Sequence, residues 1–203
     1  MSKVVLALAT YNKGKKREYE LLFKKLPIEI KALSDFEGKL EFMEEEKTFE
    51  EIAAGKALLA SKTLGIPSIA DDSGLSVEAL NGAPGIYSAR YAGKSANDKQ
   101  NNNKLLKELM GKKNRDAAFI CSIAIAKPSG NVITYSGKCS GVILDKPVGF
   151  NGFGYDPYFY YPPFKKSFAQ LTIEEKSRVS HRGLAMENLK KDLGKIMEWL
   201  EEN

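Results

Sequence analysis

Residues 4–9, Val-Val-Leu-Ala-Leu-Ala, are apolar without a break, the pattern of a strand buried on both faces. Tyr19, Leu22, Phe23 and Leu26 then recur at i, i+3, i+4 and i+7, which predicts a helix with one apolar face that stops at Pro27. Residues 28–33 predict a second, shorter strand. Thr48-Phe49-Glu50-Glu51 has the spacing of a capping box, so a helix is expected from there to about Leu64, ended by Gly65-Ile66-Pro67. Ser95-Ala96-Asn97-Asp98 marks another helix start, with that helix running to about Met110. Residues 117–126 and 132–144 flank Pro128-Ser129-Gly130-Asn131 and predict a β-hairpin. Residues 148–154 read as a glycine-rich loop and residues 155–161 as an aromatic strand or loop. Thr172-Ile173-Glu174-Glu175 is a further capping box, and Leu184, Leu189, Leu193, Ile196 and Leu200 give the last helix a core-facing stripe.

This alternation predicts one α/β domain over residues 1–203, with a central sheet that is mixed because it contains the antiparallel hairpin. There is no internal repeat, low-complexity segment or linker. The 203 residues are enough for one well-buried domain, and 43% apolar with 28% charged residues is an ordinary globular balance. No apolar run approaches the roughly 20 residues of a membrane span, and the N-terminal run is too short for a secretory signal. The chain is therefore expected in the cytoplasm, without a membrane partner. Net charge is +5, with the lysines scattered along helices; it suits a pocket for a small polyanion as well as it suits nucleic acid. Cys121 and Cys139 flank the hairpin turn and read as reduced core residues rather than a disulfide. With one histidine, no CxxC and no HExxH, a zinc site is not expected.

Four stretches carry candidate chemistry. The first, Thr10-Tyr11-Asn12-Lys13-Gly14-Lys15-Lys16, falls at a strand-to-helix junction, where backbone N–H groups, polar side chains and lysines can cradle phosphate. It is not a Walker A loop. Lysines crowd a turn where the helix dipole disfavours cations, and a bound anion would relieve that conflict. The second pairs Glu44-Glu45-Glu46 with Asp71-Asp72-Ser73-Gly74; one carboxylate from each could hold a single Mg²⁺ against a triphosphate. The aspartate pair is expected at a strand end or bend, and Asn81-Gly82-Ala83-Pro84-Gly85 beyond it as an ordered loop. The third is Gly149-Phe150-Asn151-Gly152-Phe153-Gly154-Tyr155-Asp156-Pro157. It does not fit the dinucleotide pattern, but its aromatics suit a planar base and Asp156 offers an acceptor. In the fourth, Glu175 to Gly183, the only histidine stands beside Arg182 at a helix start, with Lys176 as a further cation.

In order along the chain, LATYNKGKKRE, TFEEIAAGKA, ADDSGLSVEALNGAPGIYSARYAG, GFGYDPYF and EEKSRVSHRG resemble the inosine-triphosphate pyrophosphatase family, over essentially the whole length. The resemblance implies an α/β fold with a central mixed sheet flanked by helices and an active-site cleft between two lobes. It implies hydrolysis of non-standard purine nucleoside triphosphates (ITP, dITP, XTP) to the monophosphate and pyrophosphate, with Mg²⁺ as cofactor and a homodimeric assembly. Carried over, Thr10, Tyr11, Asn12, Lys13, Gly14 and Lys15 bind the triphosphate, Asp72 accepts the proton, and Ser73 contacts substrate. Phe153, Gly154, Tyr155, Asp156, Lys176, His181 and Arg182 line the nucleoside pocket. Mg²⁺ lies between Asp72 and a glutamate ahead of the TFEE helix. Here the family's E-E-T-G-x-T-F is Glu44-Glu45-Glu46-Lys47-Thr48-Phe49, without the glycine: ungapped spacing points to Glu44, a one-residue deletion to Glu45.

The sequence also admits two other readings. One is a pyrophosphatase for modified pyrimidine nucleotides on a similar fold, against which the SHRG and FGYD segments argue. The other is a basic nucleic-acid-binding module using Tyr87, Tyr91 and the loop aromatics as stacking platforms. That second reading leaves Asp71 and Asp72 in a repulsive position, so no nucleic-acid partner is expected.

Overall fold

The structure, a computed structural model, describes residues 3–36, 40–42 and 48–202. The chain opens with β1 (Val4–Leu8), α1 (Lys13–Phe23) and β2 (Ile28–Ala32). Then come α2 (Phe49–Leu64), β3 (Ser68–Val77), α3 (Asp98–Glu108) and the hairpin β4 (Asp116–Ala126) and β5 (Val132–Ile143). Two short strands, β6 (Phe159–Tyr161) and β7 (Lys166–Ser167), precede α4 (Ile173–Val179), α5 (His181–Lys191) and α6 (Leu193–Glu201). The sheet has seven strands in the order β2-β1-β3-β4-β5-β6-β7. β1 pairs in parallel with β2 and β3, while β6 runs antiparallel to β5 and β7, so the sheet is mixed as expected.

The helix starts follow the sequence signals. Thr48, Asn97 and Thr172 each accept from the N3 backbone N–H while the N3 side chain reaches back, the reciprocal arrangement that satisfies two orphan donors at once. The last helical stripe is the exception. It is carried by two helices, because the backbone at Asp192 (φ −104°, ψ 13°) leaves the helical path. Leu189 and Ile196 remain buried on either side of the break, and Leu193 and Leu200 pack partly against the same core.

The described residues fall into two compact units: Met1–Asp72, Cys121–Gly137 and Arg182–Asn203 in the first, Ser73–Ile120 and Lys138–His181 in the second. In the first unit the pleat sorts residues into two packing layers. Leu6, Leu8, Ile69, Cys121, Ile123 and Ile125 pack with Tyr19, Leu22 and Phe23 of α1 and with Met186 and Leu189 of α5. The alternate positions Ala9, Ala70, Ala124 and Ala126 meet Ala53, Ala57 and Ala60 of α2, where small side chains let the helix lie close to the strands. In the second unit Phe119, Phe159 and Phe168 form an aromatic core, with ring centroids 4.7 Å apart for Phe119–Phe159 and for Phe159–Phe168.

Candidate active site

Asp71 and Asp72 stand inside β3, not at a strand end or bend. A strand turns successive side chains to opposite faces, so the two carboxylates diverge: Asp71 follows Ile69 toward α1 and α5, and Asp72 follows Ala70 toward α2. Each meets cations on its own side, and this is what allows two charges to sit at adjacent positions of a buried strand.

On the α1 side, Oδ2 of Asp71 accepts from Arg182 Nε at 3.1 Å and Nη2 at 2.8 Å, and Lys15 Nζ is 3.1 Å away. Lys15 also donates to the Asp71 carbonyl at 3.3 Å. Arg182 Nη1 is paired with the buried Glu18, and the Cys121 thiol donates to Asp71 at 3.7 Å. Burial by itself would raise the Asp71 pKa; the guanidinium and then the ammonium overcome it and hold the carboxyl well below the usual range. The opposite charge keeps Arg182 well above its ordinary value although it is 1% exposed.

On the α2 side, Lys56 Nζ lies 2.9 Å from Asp72 Oδ1. Here burial is the largest influence and outweighs Lys56 and Lys15, so the Asp72 pKa is raised. Lys56 went unassigned in the sequence. The cue was present: it lies between Ala53 and Ala57 at the edge of the alanine face of α2, and a cation at the edge of a small apolar stripe implies a partner. Glu18 was likewise missed, being next to Tyr19 on the buried side of α1.

The phosphate-motif residues begin α1. Asn12 is its N-cap, accepting from Gly14 N at 2.8 Å and Lys15 N at 3.0 Å, while Thr10 Oγ1 accepts from Asn12 N at 3.2 Å. The Tyr11 hydroxyl accepts from Leu40 N at 2.9 Å. Lys13 is exposed, and Lys15 turns inward to Asp71. Glu44 and Glu45 lie outside the described residues.

In the second unit, Lys176 and Asp156 form a buried ion pair of 2.7 Å, and Asp156 Oδ2 also accepts from Phe153 N at 2.9 Å. The ammonium is 4.7 Å from the centroid of the Phe153 ring. Gly152 (φ +78°) admits no side chain: a Cβ there would stand 2.0 Å from Asp156 Oδ2. Gly154 N donates to Asp98 at 2.7 Å and its carbonyl accepts from Asn102 at 2.9 Å. Tyr155 is buried with its hydroxyl donating to the Ser88 carbonyl at 2.8 Å, so it frames this turn, and Phe153 is the half-buried aromatic. His181 stacks on Phe119 at 4.7 Å and 13°. Ser73 is half-buried on β3. Lys15, Asp72 and Arg182 thus gather in the first unit, with Thr10 to Gly14 on the turn leading into α1. Ser73, Phe153 to Asp156, Lys176 and His181 belong to the second.

Such features define an α/β protein whose buried carboxylates are matched to Lys15 at the start of α1 and Lys56 in the middle of α2, suited to anionic oxygen ligands. The comparisons with known proteins specify it further. The Ham1 family model matches residues 6–192, and the chain belongs to the Ham1 family, which bears out the resemblance read from its motifs. It is 50% identical over 198 residues to the dITP/XTP pyrophosphatase of Desulfotalea psychrophila, covering 98% of this chain and 89% of that protein. It is 47% identical over 200 residues to the dITP/XTP pyrophosphatase of Listeria innocua, covering 98% of each. Among solved structures, the Ham1 protein of Staphylococcus aureus superimposes with a TM-score of 0.84 at 41% identity, over 95% of this chain and 99% of that one.

Proposed function

We infer that this protein is a nucleoside-triphosphate pyrophosphatase for non-standard purine nucleotides, cleaving dITP, ITP or XTP to the monophosphate and pyrophosphate. One observation carries the reading: on a single strand, Asp71 is locked by Arg182 and Lys15 while its neighbour Asp72 is matched to Lys56. Two lysines and a hard oxygen donor are what a polyphosphate and its counter-ion require. The near full-length relatives supply the nucleotide class by their names.

In this reading residues 1–203 act as one catalytic domain. Thr10, Tyr11, Asn12, Lys13, Gly14 and Lys15 hold the triphosphate, with Lys15 and Lys56 neutralising its oxygens. Asp72 orients the attacking water and takes its proton as the anhydride bond opens and pyrophosphate leaves. Ser73 contacts the substrate. Phe153 receives the planar base, and Gly154, Tyr155 and the Asp156–Lys176 pair fix the turn that presents it. His181 reads the C6 oxygen of hypoxanthine or xanthine, and adenine, with an amine there, would leave its donor unsatisfied, whereas the guanidinium of Arg182, expected beside it, is committed to Asp71 and Glu18. Rejection of guanine, which has the same oxygen, must act through its C2 amine.

The donor set fits Mg²⁺. That ion commonly takes one or two carboxylates and leaves its other positions to water and phosphate, and the Asp72 carboxylate beside Lys56 is a hard oxygen donor of that kind. Asp72 would hold it, with Glu44 or Glu45 as second ligand; when bound, the ion neutralises phosphate charge. We place the protein in the cytoplasm as a homodimer. No helix among the described residues is long and apolar enough to cross a membrane, and both cysteines are free.

The test is a substrate panel. Purified protein with Mg²⁺ should release pyrophosphate from ITP and XTP, with little from ATP, GTP or dTTP. Orthophosphate as the product would mean that a different bond is cut, and turnover confined to modified pyrimidine nucleotides would replace the substrate class.

A further inference from the structure

Helix α3 grips one residue of the Phe153 turn, Gly154, through both its N–H and its C=O. Asp98 Oδ2 accepts from Gly154 N–H at 2.7 Å, and Asn102 Nδ2 donates to the Gly154 carbonyl at 2.9 Å. Asp98 and Asn102 are four residues apart, so they project from the same face of the helix. Asn102 is 5% exposed. Gly154 has φ +62°, a conformation with little intrinsic preference for a side-chain-bearing residue, and the two hydrogen bonds hold it there.

The surrounding turn is fixed just as closely. Phe153 N donates to Asp156 at 2.9 Å, and the Tyr155 hydroxyl donates to Ser88 O at 2.8 Å. The Ser88 segment is itself tied to α3: Asn101 donates to Ala89 O at 3.1 Å and accepts from Ala92 N at 2.8 Å. Backbone on both sides of Phe153 is therefore held, and its half-buried ring has its placement set by that backbone and by Lys176.

We propose that Asp98 and Asn102 are positioning residues for the substrate base: acting through Gly154, they set the Phe153 ring on which a purine is received. This rests on the nucleotide reading above. Neither residue belongs to the set that handles phosphate and water, so their loss weakens base binding and leaves the chemical step alone. A role in stability alone predicts something different, a lower unfolding midpoint with KM unchanged.

The experiment measures kcat and KM for ITP by pyrophosphate release, with thermal midpoints, for the parent, Asp98→Ala, Asp98→Asn and Asn102→Ala. Asp98→Ala and Asn102→Ala should each raise KM roughly three- to tenfold, the scale of one lost hydrogen bond, with kcat within about twofold of the parent. Asp98→Asn keeps an oxygen for the Gly154 N–H and should restore KM. An unchanged KM in folded Asp98→Ala overturns the proposal, as does an Asp98→Asn variant no better than alanine. A fall in kcat that tracks the loss of thermal midpoint also overturns it, since that is the mark of a structural role. A parent that releases no pyrophosphate from ITP refutes the nucleotide reading itself, a result distinct from all of these.

Discussion

Lys56 Nζ lies 2.9 Å from Oδ1 of Asp72 and joins helix α2 to the carboxylate the reaction would use. The preceding residue, Asp71, faces the other way and is tied to Lys15 and Arg182. One pleat of β3 thus separates a carboxylate held by two cations from the one to which we assign the chemistry. The opposite directions of their pKa shifts express the same division.

Asp72→Asn should abolish pyrophosphate release while leaving the fold intact. Its carboxylate is burdened by burial, so the neutral amide should keep the thermal midpoint equal to or above that of the parent. Steady-state assay with differential scanning fluorimetry checks both parts; substantial residual turnover would remove Asp72 as the base.

Lys56→Met removes a charge-assisted contact beside the proposed reacting centre and keeps most of the side-chain volume. It should lower kcat about a hundredfold, the scale of losing one preorganised electrostatic donor. A kcat within about twofold of the parent would show that the lysine only packs against the strand.

Asp71→Asn breaks a buried pair and leaves the Arg182 guanidinium, 1% exposed, with Glu18 as its remaining carboxylate. Removing one partner of such a pair costs about 3–5 kcal/mol, which urea denaturation would resolve. A loss below about 1 kcal/mol would mean that Glu18 alone suffices.

Gly152→Ala forces a Cβ to 2.0 Å from Asp156 Oδ2 at φ +78°, so the Asp156–Lys176 pair has to shift. A destabilisation of about 1–3 kcal/mol is expected, together with a higher KM for ITP. Equilibrium unfolding and steady-state kinetics on one preparation would measure the two effects.

The two thiols should be silent in the native protein. Burial pushes Cys139 up to about 12 and raises Cys121 further, with the neighbouring Asp71 charge adding to it. Because the thiolate is the reactive form, a raised pKa slows reaction at pH 8. Ellman's reagent should give no prompt reaction until denaturant is added, and then two thiols per chain.

Much of the fold was legible because its signals are local. The apolar run at 4–9, the 3.6-residue periodicity of α1, the capping boxes at Thr48 and Thr172 and the turn at Pro128-Ser129-Gly130-Asn131 each depend on residues within a few positions of one another. The break at Asp192 was not legible, since leucine spacing continues across it and only the backbone departs. Asp71 and Asp72 were misplaced at a strand end for a related reason. Paired aspartates are turn formers by propensity, and nothing near them in sequence announces the cations that make a strand tolerable.

The sequence by itself determined the class of the protein, its helix and hairpin boundaries to within a few residues up to the break at Asp192, and the stretches where chemistry gathers. These follow from nearest-neighbour physics and from motifs that survive as linear text. Tertiary structure alone decided the partners. Asp71 meets Arg182 across 111 positions and Asp72 meets Lys56 across 16, while Asn102 reaches Gly154 across 52. A buried charge or amide is satisfied by whatever the packing of strands and helices brings within about 3 Å, and separation along the chain carries no information about that distance.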